Sequence, residues 1–296
     1  MDGSKNILVT GASGFIGRNL TVRLSKSGHT IYPISKLFGQ DICDKKIYQQ
    51  YTDKCIDTVF HLAGLTFVPD SWDSPDKFYQ VNTMGTQRVL DFCRQAQARI
   101  IFISAYIYGN PRYLPIDESH PVAPNNPYAH SKWLGEELCR FYAEHMGVKT
   151  VILRPFNIYG NGQDSRFLIP TLLNQIQTDG KIVVRDDTPR RDYLYITDFV
   201  DACMAVIDSD APYRLFNVGS GYSLSVREIV KTIRTAHHDK STWQSLGEKR
   251  PNEIPDTVAD CSAIKKEFNW QSRIPFTEGL RDMLSKHEGI SFPRHT

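Results

Sequence analysis

Lys5-Asn6-Ile7-Leu8-Val9-Thr10-Gly11-Ala12-Ser13-Gly14-Phe15-Ile16-Gly17 is an apolar run that breaks into three glycines at three-residue spacing. The first half has the composition of a buried parallel strand. Gly11 permits a tight turn, Gly14 leaves the backbone open to a pyrophosphate, and Gly17 lets a following helix lie close to the strand. Downstream, Ile16, Leu20 and Leu24 recur one helical turn apart. This predicts an amphipathic helix whose first amides face phosphate. The spacing, G-x-x-G-x-x-G, departs from the general G-x-G-x-x-G fingerprint. Gly11, Ser13, Gly14, Phe15, Ile16 and Gly17 are the residues expected around a bound dinucleotide.

The next strand-like run, Gly28-His29-Thr30-Ile31-Tyr32-Pro33-Ile34, contains a proline that suits an edge or a bulge. An NAD site usually ends this strand with Asp or Glu on the ribose hydroxyls. Here Ser35-Lys36 stands instead. No carboxylate is there to repel a 2′-phosphate, Lys36 can pair with one, and Arg18 is a second cation for the adenosine side. The reading favours NADP (as NADPH) and leaves NAD open.

Apolar runs near Ile7, Ile31, Val59, Ile101 and Val151 alternate with helical patterns. That alternation predicts an α/β fold, a Rossmann-type doubly wound parallel sheet with helices on both faces. The nucleotide domain is expected over 1–153, with roughly 190–215 packing back onto it. A smaller α/β substrate-binding lobe is expected from 154–189 and 216–296. In it, helices are predicted over Phe167 to Asp179 and, begun by a serine cap, Ser225 to His237. A strand is predicted over Lys181 to Val184. Another helix, Thr197 to Asp208, lies in the returning segment, and the Pro/Asn-rich stretch Pro111 to Pro127 reads as a loop.

The chemistry is carried by Tyr128-Ala129-His130-Ser131-Lys132, on a helix with Pro127 at an early position. Positions i and i+4 share a helix face. A free tyrosine, with a pKa near 10, is a poor base at neutral pH. One cation about 5 Å away, at an effective dielectric of about 20, is worth roughly 3 kcal/mol, or about two pKa units. Lys132 together with the oxidised nicotinamide is thus expected to bring the Tyr128 phenol into the range of acid/base work. Ser104, ending the apolar strand Arg99 to Ile103, is placed to hold a substrate oxygen. His130 points to another face and reads as a surface residue.

With these segments in hand, the chain resembles the extended short-chain dehydrogenase/reductase family over almost its whole length. That family comprises epimerases, reductases and dehydratases of nucleotide sugars. Matching segments, in order, are Asp41-Ile42, Asp57 to Gly64, Val81 to Thr86 and Ile103 to Gly109. Later come Leu153-Arg154-Pro155-Phe156-Asn157 to Gly160, Arg190 to Asp198, and Lys249-Arg250-Pro251-Asn252-Glu253-Ile254-Pro255. The resemblance implies that Asp41 and Ile42 lie beside the adenine. It places Leu62, Ala63, Gly64, Asn82 and Pro155 around the cofactor together with Tyr128 and Lys132. Phe67, Ser104, Ala105, Tyr106, Tyr128, Asn157, Arg191 and Arg250 are implied at the substrate, the arginines on its diphosphate.

Sugar-nucleotide 4,6-dehydratases of that family carry acidic residues just after the catalytic Ser/Thr. This chain has Ala105-Tyr106, which argues against dehydration. An NADP-type strand end suits a net reductase. The expectation is NADPH-dependent reduction of a nucleoside-diphosphate 4-keto sugar, including 4-keto-6-deoxy forms. A nucleotide-sugar 4-epimerase is the alternative, and a non-catalytic NADP-binding sensor is disfavoured by the intact Ser104, Tyr128 and Lys132.

The 296 residues, 41% apolar, suffice for a sizeable core. A formal charge of +2 with no basic run argues against nucleic-acid or membrane partners. Six scattered cysteines without C-x-x-C suit a reducing compartment. The nine histidines lack ligand spacing, so no metal is expected. No apolar stretch is long enough for a membrane span, which points to a cytoplasmic protein. Helices 76–96 and 127–146 are expected to form a homodimer interface, as in many relatives.

Overall fold

The computed structural model describes residues 3–236, 242–250 and 253–287. Six strands form one parallel sheet: β1 (Asn6–Thr10), β2 (Thr30–Ile34), β3 (Thr58–His61), β4 (Arg99–Ile103), β5 (Thr150–Pro155) and, far downstream, Tyr213–Val218. Their spatial order is β2-β1-β3-β4-β5 and then the downstream strand. β3 and β5 are buried at every position, as continuous apolar strands covered on both faces must be. Pro33, with no amide to donate, sits in the edge strand β2. From β1 the chain moves outward to β2, then crosses back to pair β3 on the other side of β1. That reversal is the switch point at which such sheets bind ligands.

Alternate side chains enter two cores. Ile7 and Val9 pack with Leu20 and Leu24 of α1 (Phe15–Lys26). Leu8 and Val59 face the opposite layer. The run expected as one helix over 76–96 is not uniform. After the short α2 (Val68–Asp73) and α3 (Pro75–Phe78), Tyr79–Met84 winds as a π-helix before α4 (Gly85–Ala96). Val89, Leu90 and Cys93 of α4 meet Cys139 and Tyr142 of α5 (Pro127–Met146) in this second core.

The remainder follows the expected pattern with shifted seams. The third strand-and-helix group comprises β6 (Asn157–Tyr159), α6 (Leu168–Asp179), β7 (Lys181–Val184), β8 (Arg190–Tyr195) and α7 (Ile196–Ala205). The downstream strand of the main sheet is β9 (Tyr213–Val218), followed by β10 (Ser223–Ser225), α8 (Val226–Ala236), β11 (Thr242–Ser245), α9 (Ser262–Phe268) and α10 (Phe276–His287). β8 lies between β10 and β6, and β7 pairs with β11. The divisions expected at 153/154 and 215/216 fall inside β5 and β9. Both strands continue to their paired ends, Pro155 beside Val218, because the ladder between them is unbroken. Phe199, Val200 and Cys203 of α7 join the α1 side of the core, so the returning helix seals that face. Ser225 caps α8 reciprocally with Glu228, as the serine predicted. His237, the expected end of that helix, lies outside the described residues, as do Pro251 and Asn252. No helix among the described residues is long and apolar enough to cross a membrane.

Candidate active site

At the switch point the backbone is packed to its limit. Gly11 has φ +71°, and a Cβ there would lie 2.7 Å from the Ala63 amide nitrogen. A Cβ on Gly17 would lie 2.1 Å from the Gly11 carbonyl oxygen, so α1 can approach β1 only with glycine here. Gly14 begins α1 with no side-chain cap. The first amides of the helix are therefore left for an anion. Phe15 and Ile16 pack inward against the core while Ser13 and Gly14 are exposed. Ser13 and the buried Ser35 share a short hydroxyl–hydroxyl contact. The cradle fits a dinucleotide phosphate.

On the adenosine side, two expected cations are already engaged. Lys36 pairs with Asp41 at 3.5 Å, both half-exposed. The amide of Cys43, with Lys36, holds the Asp41 carboxyl below its usual range. Arg18 donates to the Gly162 carbonyl. Ile42 is buried against Gly85 of α4, so its side chain belongs to the core.

Behind the turn runs a directional hydrogen-bond chain. The Ala63 amide donates to Thr10 Oγ1 at 3.2 Å, and Thr10 lies 2.7 Å from His61 Nδ1. His61 Nε2 lies 2.9 Å from Thr86 Oγ1, which donates to the Asn82 carbonyl at 2.6 Å. These partners assign the proton of His61 to Nε2. Burial, with the Lys132 charge secondary, pulls the imidazole down to about 3, so it stays neutral. Asn82, on the π-helical turn, completes the brace. Its carboxamide accepts from Leu65 N at 2.8 Å and donates to the Leu65 carbonyl at 3.0 Å and to Ser131 Oγ at 2.9 Å. The loop carrying Gly64 is thereby tied to α5.

Lys132 and Tyr128 attach to the residues on either side of Ser104. Lys132 is buried and donates to the Ile103 carbonyl at 2.6 Å, its ammonium 4.2 Å from the Phe102 ring centroid. Tyr128 packs on the cluster of Ala105, Ile107 and Ala129, with Phe78 edge-on at 6.3 Å. Ser104 lies between these two attachments. Its Oγ is buried without a partner, which marks it as a candidate for holding a ligand oxygen.

Burial governs the ionisation of Tyr128. Burial pushes its phenol up, and pulls Lys132 down to about 8. Desolvation disfavours both charged forms. Tyr128 thus stays a protonated phenol. His130 is also not a plain surface residue: it is half-buried, 3.1 Å from the Tyr79 hydroxyl and beside Trp133.

Toward the lobe, Tyr106 donates to the Gly109 carbonyl at 2.6 Å and packs on Phe156. Asn157 donates to the Asp192 carbonyl at 3.2 Å. Arg191 is held by the Ile254 carbonyl at 2.6 Å and by the Glu253 carboxylate, while Arg250 is exposed. Phe67 carries the Arg166 guanidinium over its ring at 4.3 Å and meets Phe167 edge-on, and Arg166 pairs with Asp70. Sequence reading missed Arg166, His61 and the buried pair Glu136–Arg154. The signals for the pair were a carboxylate four residues after Lys132 and an arginine closing an apolar strand.

The NAD dependent epimerase/dehydratase family model matches residues 7–219. UDP-glucose 4-epimerase 2 of Arabidopsis thaliana is 26% identical, covering 95% of this chain and 94% of its own. The dTDP-D-glucose 4,6-dehydratase of Homo sapiens is 27% identical, over 95% and 89%. The structure of RMD from Pseudomonas aeruginosa complexed with NADPH superposes with a TM-score of 0.89 at 26% identity, over 97% and 99%. The glycine turn, the braced helix and the matched span agree, and the chain belongs to the NAD dependent epimerase/dehydratase family of extended short-chain dehydrogenases/reductases.

Proposed function

We propose that this NAD(P)-dependent enzyme uses NADPH to reduce a nucleoside-diphosphate 4-keto sugar, 4-keto-6-deoxy forms included, to the 4-hydroxy sugar. The observation carrying this reading is the Ser104 hydroxyl, buried and unpartnered, between the Ile103 carbonyl that holds Lys132 and the Ala105 cluster on which the half-buried Tyr128 packs. Bound in the glycine cradle, with Ser35, Lys36 and Asp41 toward its adenosine, NADPH supplies the hydride. Ser104 Oγ–H and the Tyr128 phenol both donate to the carbonyl oxygen. As the carbonyl carbon accepts hydride, the Tyr128 proton moves to that oxygen, and the Lys132 ammonium favours the phenolate left behind. Asn82 and Ser131 hold the helix that aims these groups.

Next to Ser104, buried Ala105 offers no proton, and burial pushes the Tyr106 phenol up while its hydroxyl is committed to Gly109. Neither position carries the acid and base an elimination needs. The NADPH in the RMD structure supports the cofactor assignment. The 4-epimerase alternative draws support from the Arabidopsis relative, and it differs in consuming no NADPH. We further propose a homodimer through helices 76–96 and 127–146, where Met84, ending the π-helical turn before α4, and Phe141 of α5 are each 49% exposed.

Tyr128→Phe should retain NADPH binding by fluorescence and lower kcat for NADPH oxidation, across a panel of nucleoside-diphosphate keto sugars, by at least about 100-fold. Full activity in that variant excludes Tyr128 as the proton donor. Lys36→Ala should weaken NADPH about tenfold and leave NADH nearly unchanged. Equal losses for both would end the 2′-phosphate argument. Light scattering should give about twice 33.8 kDa, and a monomer mass at micromolar concentration contradicts the dimer.

A further inference from the structure

Glu136 and Arg154 form an ion pair with only 3% and 4% of their surfaces exposed. The guanidinium fork donates from Nε at 2.9 and 3.1 Å and from Nη2 at 2.6 Å. Its remaining nitrogen, Nη1, donates to the Tyr108 hydroxyl at 2.8 Å. Tyr108 donates to Asn217 Oδ1 at 2.6 Å, and Asn217 Nδ2 to the Ile116 carbonyl at 3.0 Å. The network thus joins α5, β5 and β9 and ends beside the bridge from Ile116 to Ala259.

Stability alone is a poor account of this pair, because desolvating two charges consumes most of their attraction. Well-packed apolar residues commonly do as well or better. Position supplies another account. Tyr128, Lys132 and Glu136 follow at i, i+4 and i+8 on one stripe of α5.

The groups facing Lys132 come from three elements. From β4 come the Ile103 carbonyl and the Phe102 ring, from β3 the neutral His61, and from α5 Cys139 and Glu136. Cys139 is a buried thiol, pushed well up by burial and uncharged. Among these, Glu136 alone carries a charge, and it is negative. Arg154 fixes that carboxylate through three hydrogen bonds.

We propose that Glu136, clamped by Arg154, is the positioning residue that keeps Lys132 charged in its dry seat beneath Ser104 and Tyr128. Without it, burial would strip the ammonium of its proton near neutral pH, and the phenol would lose the cation that favours its ionised form. The inference rests on the working role given to Lys132 above, and its test is separable from that role.

In the ligand-free protein, the Cε resonance of Lys132, assigned by its loss in Lys132→Arg, is titrated by NMR. Glu136→Gln should lower the midpoint by about one to two pH units, since one compensating charge is removed. The alkaline limb of kcat/KM should move down by the same interval, with NADPH affinity at pH 6 unchanged. Should Glu136→Gln fail to fold, the double variant Glu136→Leu/Arg154→Leu removes both charges and leaves none buried alone. It too should titrate below wild type. An unmoved midpoint in whichever variant folds overturns the proposal. A wild type inert toward every keto sugar would count against the reductase reading instead, and leave the titration result standing.

Discussion

The turn after β1 and the turn after β3 touch through bare backbone, with Gly11 against Ala63 and Gly17 against Gly11. This contact is the constraint on which the rest of the molecule depends. It sets the first turn of α1 at the switch point of the sheet, uncapped and facing outward. It also fixes the loop from Leu62 to Leu65, which Asn82 then fastens to the helix bearing Tyr128 and Lys132. The glycine turn and the helix bearing Tyr128 and Lys132, on separate elements, are held in one frame by the Asn82 side chain.

Burial decides the chemistry of that frame. Desolvation keeps the Tyr128 phenol protonated. The same desolvation acts on Lys132, which is why a carboxylate one turn further along matters. His61 shows the third outcome: fully buried, it gives up its charge and serves as a neutral link between Thr10 and Thr86.

Much of this was legible in the residues. The glycine spacing, the apolar strands and the early proline before Tyr128 located β1, α1, the parallel sheet and the helix bearing Tyr128 and Lys132, and Ser225 marked the start of α8. Local patterns failed where a property belongs to distant partners. The π-helical turn at Tyr79–Met84 leaves no mark in apolar periodicity, yet it carries Asn82, whose partners lie 17 and 49 residues away. β9 joined the main sheet through pairing with β5, not through its own composition. The engagement of Lys36 by Asp41 and of Arg191 by Glu253 needs three dimensions to see. Ionisation was the least legible property, because burial depends on the whole fold and a single-pair Coulomb argument omits it.

Net reduction, with hydride from the cofactor and a proton from Tyr128, is the central claim. The most direct measurement follows deuterium from NADPH labelled at the transferring position into a nucleoside-diphosphate 4-keto sugar, read by mass spectrometry. The account predicts a 4-hydroxy product carrying one deuterium for each NADPH oxidised. A product that forms without NADPH consumption, or that carries no label, contradicts it.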